Sequence, residues 1–186
     1  MKKATPILYK SAVTFGRFNI PHHGHVELIQ QMLGWAEYAD VHISGSENNN
    51  DYDLRVLMLR HLCRKAKVNL KRVNFYQSPT VVEAMTFSVD MAPFHETVLV
   101  LGSDQMTMGY KISEAYDTGF IINSRSTSST EIRYFLDAEG FIQDLLHLYE
   151  GDEYAIALAM VLRKEELHRE RSEKVARETR SVAAAI

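Results

Sequence analysis

Short β-branched runs alternate along this chain with longer stretches that repeat at helical spacing. Ala12-Val13-Thr14-Phe15 reads as a buried strand stopped by Gly16. Val26, Ile29, Leu33 and Ala36 then recur on one helical face, beginning near Gly24. Val41-His42-Ile43 predicts a second strand closed by Ser44-Gly45-Ser46, and the polar run Glu47 to Asp51 predicts a loop. Asp51 or Asp53 is placed to cap the next helix, which carries Leu54, Met58 and Leu62 on one face. Val73 to Tyr76 predicts a third strand. Thr80 and Glu83 then stand three apart, as in a capping box, and Pro93 should end that helix. Thr97 to Leu101 is the most apolar strand, Gly119 to Asn123 the fifth, and a last core helix begins near Ser128 or Ser129.

Strands alternating with helices imply βαβ crossovers. The predicted fold is therefore α/β: a Rossmann-like, doubly wound parallel sheet of about five strands with helices on both faces. In such sheets ligands bind beyond the carboxyl ends of the strands. That rule selects Gly16 to His25, Ser44 to Asp51, Gly102 to Met106 and Asn123 to Arg133, the segments richest in Gly, Ser, His, Asn and Arg.

The C-terminal stretch differs. Arg163 to Arg180 holds seven Lys or Arg and five Glu, with apolar residues thinning out after Leu162 and Leu167. It reads as a long charged helix, a solvated face with i,i+4 pairs rather than a binding arm, though packing on a second subunit is the other use of such a helix. Residues 1–150 are thus read as the catalytic unit and 151–186 as a helical extension.

Composition narrows the class. At 46% hydrophobic and 24% charged, the chain has enough apolar mass for an ordinary core. A net charge of −3 argues against a nucleic-acid partner. No apolar run is long enough for a membrane span and none precedes Arg17 as a signal peptide would, so no membrane association is expected. The single cysteine, Cys63, excludes an intrachain disulfide and suits a cytoplasmic protein.

The strongest chemical feature is Gly16-Arg17-Phe18-Asn19-Ile20-Pro21-His22-His23-Gly24-His25, which joins the first strand to the first helix. A helix N-terminus offers free N–H groups and a positive dipole end, and Gly24 lets an anion approach them. His22 and His25 add donors that can follow charge growing on a phosphate oxygen, and Arg17 adds a fixed positive fork. Zinc is the other reading of clustered histidines. However, no cysteine or carboxylate follows at ligand spacing, and no metal ligand is assigned.

This segment closely resembles the first signature of the nucleotidyltransferase superfamily that carries H-x-G-H. With Gly16-Arg17-Phe18 ahead of Pro21 it is most similar to archaeal-type nicotinamide mononucleotide adenylyltransferases. Class I aminoacyl-tRNA synthetases share a related histidine motif, but they are much longer and need a lysine-rich loop not found here. A second segment, Ser126 to Arg133, starts the last core helix; by themselves its hydroxyls are ordinary caps or phosphate contacts. Ser128, Thr130, Ile132 and Arg133 match the superfamily's S-x-T-x-I-R, about 100 residues after the first signature.

The resemblance implies transfer of AMP from ATP to nicotinamide mononucleotide, giving NAD and pyrophosphate, with Mg²⁺ held mainly by the phosphates of ATP. His22, His25 and Arg133 would be catalytic. Gly16, Arg17, Phe18, Asn19, Gly24, Gly102, Asp104, Ser128, Ser129 and Thr130 would bind nucleotide and phosphate, and Ser44, Gly45, Ser46 and Arg55 would face the acceptor. Relatives commonly assemble, so a homo-oligomer is expected. Cytidylyl or adenylyl transfer to another phosphorylated acceptor, and a non-catalytic nucleotide-sensing module, are the competing readings. Two departures bear on the acceptor. The loop Glu47 to Asp51 lacks the lysine of many relatives, leaving Arg17, Arg55 or Arg133 to carry more of the charge. The only tryptophan, Trp35, sits in the first helix where core packing explains it, so Phe87 or Phe94 would have to stack on the acceptor.

Overall fold

The computed structural model describes residues 7–45, 51–80, 82–85, 93–116, 118–123, 129–138 and 142–183, apart from the side chains of Phe94, Asp104, Ser129, Val182 and Ala183. Ser46, Phe87 and Ser128 lie outside the described residues, as do the side chains of Asp104 and Ser129.

Five strands form one parallel sheet: β1 (Tyr9–Gly16), β2 (Ala36–Ser44), β3 (Val73–Ser78), β4 (Thr97–Gly102) and β5 (Gly119–Asn123), in the order β3-β2-β1-β4-β5. Ala12, Val13, Val98, Leu99, Val100 and Leu101 are buried, as the central strands of a sheet covered on both sides must be. Alternate residues of these strands face two separate cores. Ala12, Val98 and Val100 join the larger one with α1 (His23–Trp35), α2 (Tyr52–Lys65) and the C-terminal helices. Val13, Leu99 and Leu101 join the smaller one with Met85 and with α3 (Met106–Tyr116) through Ile112.

Three more helices return to the larger core: α4 (Ser129–Asp137), α5 (Ile142–Leu148) and α6 (Glu153–Ala183). Ala155, Ile156, Leu158, Ala159 and Leu162 of α6 are buried in the same cluster as Ile29 and Ile43, on the far side of position 150. Asp152 fixes the start of α6. Its carboxylate accepts the Ala155 N–H at 3.1 Å and meets His61 at 2.8 Å and Lys65 at 3.1 Å on α2. Burial pushes the Asp152 carboxyl upward, and these hydrogen bonds more than offset it, leaving it below the usual value. Among the described residues no helix is long and apolar enough to cross a membrane.

Ala36 corrects the sequence reading. Expected as the last contact of the first helix, it is the first residue of β2, with φ −131° and ψ 159°. The chain passes from α1 into β2 without a loop, because alanine is tolerated in either state and its burial satisfies both patterns. Asp51 does occupy the N-cap position of α2, but its side chain makes no capping bond. Thr80 makes its half of the capping box, with Oγ1 accepting the Glu83 N–H at 3.2 Å and lying 3.4 Å from Glu83 Oε1, while Pro93 follows a segment outside the described residues.

Register aligns the strand ends. Gly16 pairs with Ile43, Ser44 with Ser78, and Gly102 with Asn123, while Val13 beside Leu99 continues to place Gly16 next to Gly102. Between β1 and β4 the strand order reverses, the position at which open α/β sheets bind ligands.

Candidate functional site

The loop leaving β1 is tight and strained. Phe18 (φ 45°) and Ile20 (φ 57°) both adopt left-handed backbone, which costs on the order of 1–3 kcal/mol each and is rare for a β-branched residue. Burial holds them there, since both side chains enter the larger core. Gly16 makes room for this turn: a Cβ on it would lie 3.3 Å from the Phe18 ring. Asn19, between the two strained residues, is buried at the edge of a cleft, and its Oδ1 meets no partner among the described residues. Farther on, Pro21 is anchored by the buried Tyr149, whose hydroxyl donates to the Pro21 carbonyl at 3.0 Å. Burial raises that phenol well above its ordinary value, which keeps it a donor.

His22 is the N-cap of α1 and His25 its third residue. The His22 N–H donates to His25 Nδ1 at 3.2 Å, and the two ring centroids are 3.9 Å apart. A backbone N–H can only donate, so Nδ1 must present its lone pair and the neutral ring carries its proton on Nε2. Both imidazoles are buried, beside a buried Gly24 at the helix mouth.

The second signature segment meets the first through a residue of neither. Glu166, on α6, is only 8% exposed. Its Oε1 accepts from Asn19 Nδ2 at 2.6 Å, Arg133 Nε lies 3.1 and 2.9 Å from its two oxygens, and Arg163 Nη1 donates to Oε2 at 2.6 Å. Asn19 and Arg133 thus share one carboxylate. Arg163 also forms a paired bridge to Asp137, at 2.8 and 2.7 Å, which ties α6 to the end of α4. Those hydrogen bonds, outweighing partial burial, hold the Asp137 carboxyl below its usual range.

A third group closes the β2 end. Arg55 is buried, and its guanidinium donates to the Arg17 carbonyl (2.6 Å), the Ser44 carbonyl (3.0 Å), the Asp51 carbonyl (3.4 Å) and Asp51 Oδ1 (2.8 Å). A guanidinium has five N–H donors, so four of these bonds tie it to protein oxygens. Arg169 of α6 reaches the same Asp51 through Oδ2 at 2.9 Å. Along β2 the sheet carries buried polar pairs: His42 Nδ1 and Ser78 Oγ are 2.8 Å apart, and Ser11 Oγ and Asn74 Nδ2 donate to Asp40. Burial drives His42 down to about 4, with the nearby Asp40 charge opposing only in part, so the ring is neutral near pH 7.

Over the ends of β1, β2 and β3 lies an open cleft of ≈ 570 Å³ lined by Arg17, Asn19, Ser44, Gly45, Arg55 and, from α6, Glu166 and Arg169 among others. Its size falls within the range of small-molecule sites. Arg17 is exposed on its wall. At the same sheet edge Asn123 Nδ2, like Asn19 Oδ1, is buried without a partner among the described residues. No three His, Cys, Asp or Glu side chains come together there as ligands for an ion, again among the described residues.

The cytidylyltransferase-like family model matches residues 13–170, most of the chain and both signature segments. The chain belongs to this family. No match is found among curated proteins. Among solved structures, a Vibrio parahaemolyticus protein assigned as a nicotinate-nucleotide adenylyltransferase is similar. It has a TM-score of 0.55 and 19% identity, over 82% of this chain and 96% of that one. A Plasmodium falciparum nicotinic acid mononucleotide adenylyltransferase, solved with APC, has a TM-score of 0.63 and 14% identity, over 85% of this chain and 98% of that one. At such identities the likeness establishes the shared fold.

Within this cytidylyltransferase-like frame, the structure brings together Arg17, Asn19, Ser44, Gly45 and Arg55 on one cleft, with Arg133 joined to it through Glu166. The described lining of that cleft includes neither imidazole and not Arg133 itself. Gly102 closes β4 beside the β1 end, and Thr130 is exposed in the first turn of α4. Phe94 precedes the first residue of β4, and Trp35 precedes the first of β2, at the sheet edge opposite the site. Sequence reasoning missed Glu166, Arg169 and Tyr149. A signal for Glu166 existed: Ala155, Ala159 and Leu162 form the buried stripe of α6, and a carboxylate stands at its next position.

Proposed function

We propose that the chain is a nucleotidyltransferase that transfers AMP from ATP to nicotinamide mononucleotide, forming NAD and releasing pyrophosphate. One observation carries this reading. The two signature segments of the superfamily, one following β1 and one opening α4, meet at a single carboxylate that lines a cleft over the carboxyl ends of β1, β2 and β3. Family membership supports nucleotidyl transfer as the reaction class.

In the proposed reaction an oxygen of the acceptor phosphate forms a bond to the α-phosphorus of ATP. The bond from that phosphorus to the α,β-bridging oxygen breaks, and pyrophosphate leaves with the oxygen. No protein nucleophile is needed; catalysis is positioning and charge stabilisation. His22 and His25 would donate to phosphate oxygens as charge moves onto the leaving group. Arg133 and Thr130 of α4, with Ser128 and Ser129, would hold the β- and γ-phosphates. Arg17, exposed on the cleft wall, would supply a cation to the phosphates, since Arg55 is largely bonded to protein. Mg²⁺ enters on the phosphate oxygens as part of the nucleotide substrate.

The names of the two similar structures favour a second acceptor, nicotinate mononucleotide, which bears a carboxylate in place of the amide. Purified protein mixed with Mg²⁺ and either ATP or CTP, across nicotinamide mononucleotide, nicotinate mononucleotide, pantetheine phosphate and a sugar-alcohol phosphate, tests this by pyrophosphate release. ATP with nicotinamide mononucleotide should be the productive pair. Release with nicotinate mononucleotide alone reassigns the acceptor, and release only with CTP reassigns the nucleotide. Tight ATP binding with no pyrophosphate from any pair leaves a nucleotide-sensing module and ends the enzyme reading.

A further inference from the structure

Glu166 stands on α6, far in sequence from both signature segments, yet it is the point at which they join. Its buried carboxylate receives Asn19 from the β1 loop, Arg133 from α4 and Arg163 from its own helix. A buried carboxylate against two guanidinium groups costs desolvation, which such a network offsets only when its geometry is closely satisfied. Which part of Arg133 it engages decides what the pair does. Both Glu166 oxygens lie against Nε, and among the described residues no hydrogen bond reaches the two terminal nitrogens of Arg133. A carboxylate acting as a blocking latch would take the terminal fork, the edge that matches a phosphate bidentately. This one grips the stem side and leaves the fork.

We propose that Glu166 is a positioning residue of the triphosphate site: it fixes Arg133 by its Nε so that the terminal nitrogens are presented to the β- and γ-phosphates, and it sets Asn19 on the facing loop in the same contact. The proposal rests on the nucleotidyltransferase reading and deepens it by making α6 the third wall of the site. Arg169, bridging to Asp51 one helical turn farther along, braces the same helix against the start of α2. Asn19 Nδ2 is held by Glu166, while its Oδ1 meets no partner among the described residues and is an acceptor for a hydroxyl or amine donor of a ligand.

Binding separates this role from a structural one. A non-hydrolysable ATP analogue and AMP are titrated calorimetrically, both with Mg²⁺, into wild type, Glu166→Gln, Arg133→Ala and the double variant. Losing the charge that orients Arg133 should weaken the triphosphate analogue by ~10-fold or more, because oriented charge-assisted bonds are the strong ones, and leave AMP within ~2-fold. In the Arg133→Ala background Glu166→Gln should add little. Equal weakening of AMP and the analogue, or additive losses in the double variant, makes Glu166 structural and overturns the proposal. Unchanged or tighter binding of the analogue overturns it too, the latter identifying a latch. Should Glu166→Gln fail to fold, Glu166→Asp keeps the charge and draws the carboxylate back by one methylene; triphosphate affinity equal to wild type there rejects the positioning role. A wild-type protein that binds neither nucleotide removes the nucleotidyltransferase reading itself, an outcome distinct from wild-type binding with an indifferent Glu166.

Discussion

In the loop after β1, Phe18, Ile20, His22 and His25 are each below 5% exposed, whereas on the wall made by α4 and α6 the Arg133 and Arg169 side chains keep 23% and 33% exposure. The first wall is held by packing: two strained residues pinned into the core, a glycine that admits a ring, and an imidazole fixed by the backbone three residues before it. The second is held by charge, through Arg133 on Glu166, Arg163 on Asp137 and Arg169 on Asp51. Packing gives one arrangement, insensitive to salt and nearly rigid. Charge pairs across a wet cleft are softer and respond to ligands that compete for the same guanidinium groups. A triphosphate site needs both, a fixed edge at the reacting phosphorus and a yielding one at the tail that leaves.

The largest break in this contrast should come from His25→Ala. Removing one oriented donor from such a site lowers turnover by ~10²–10³, read as pyrophosphate release at saturating substrates. The fold should survive, with one backbone N–H of His22 losing its acceptor. Activity near wild type would mean that the packed wall is scaffold only and that chemistry rests on the charged one.

Acid probes the buried polar pairs of β2. His42 titrates near 4 in the fold, against 6.5 when exposed, because burial disfavours its charged form. The unfolded chain therefore takes up this proton first as pH falls. Stability is unaffected by His42 above about pH 6.5, declines from there to about 4 and then levels off, for a total of about 3 kcal/mol. Urea midpoints measured across that window should fall in wild type and flatten in His42→Asn. The Asp137–Arg163 bridge responds in a lower range: a carboxyl held below its usual value stabilises above its unfolded pKa, and that gain fades as pH drops through the depressed one. Equal slopes in wild type and His42→Asn between pH 6.5 and 4 would locate the acid sensitivity elsewhere.

The two walls also differ in how far a reader of the sequence can see them. The β1 loop is written in consecutive residues, Gly16 to His25, and strand ends follow from runs of β-branched residues, so a cleft at the carboxyl ends of the strands was predictable, though it opens over β1, β2 and β3 rather than between β1 and β4. The charged wall depends on Glu166 finding Asn19 across 147 positions and Arg133 across 33. In a run where several carboxylates can all pair at i,i+4, nothing local distinguishes the one that turns inward. The expectation of a solvated tail holds for the exposed side chains from Glu170 to Ser181 and fails at Glu166 and Arg169. Asp51 teaches the same point. Its place as N-cap was legible, but two arginines, one of them on α6, outcompete the helix for its carboxylate, because a charged donor binds it more strongly than a backbone N–H.

The smallest effect sharpens the contrast by testing how local the packed wall is. Tyr149 donates to the Pro21 carbonyl from 128 residues away, the one long-range hydrogen bond described on the backbone of that loop between Phe18 and His25. Tyr149→Phe keeps the ring, and with it nearly all the buried apolar surface, but leaves a buried carbonyl unsatisfied at a cost of about 1–3 kcal/mol. If packing alone fixes the loop, melting should fall by a few degrees while KM and kcat stay near wild type. If the hydroxyl sets the pitch of Pro21 and thereby the imidazole that follows, kcat should drop several-fold with KM for ATP nearly constant, since in the proposed reaction the other wall would grip the phosphate tail. The contrast as drawn requires the second outcome to be weak: a loop pinned by two buried strained residues has little freedom left for one hydroxyl to remove. A large loss of kcat in Tyr149→Phe would show that the packed wall, too, is held from a distance.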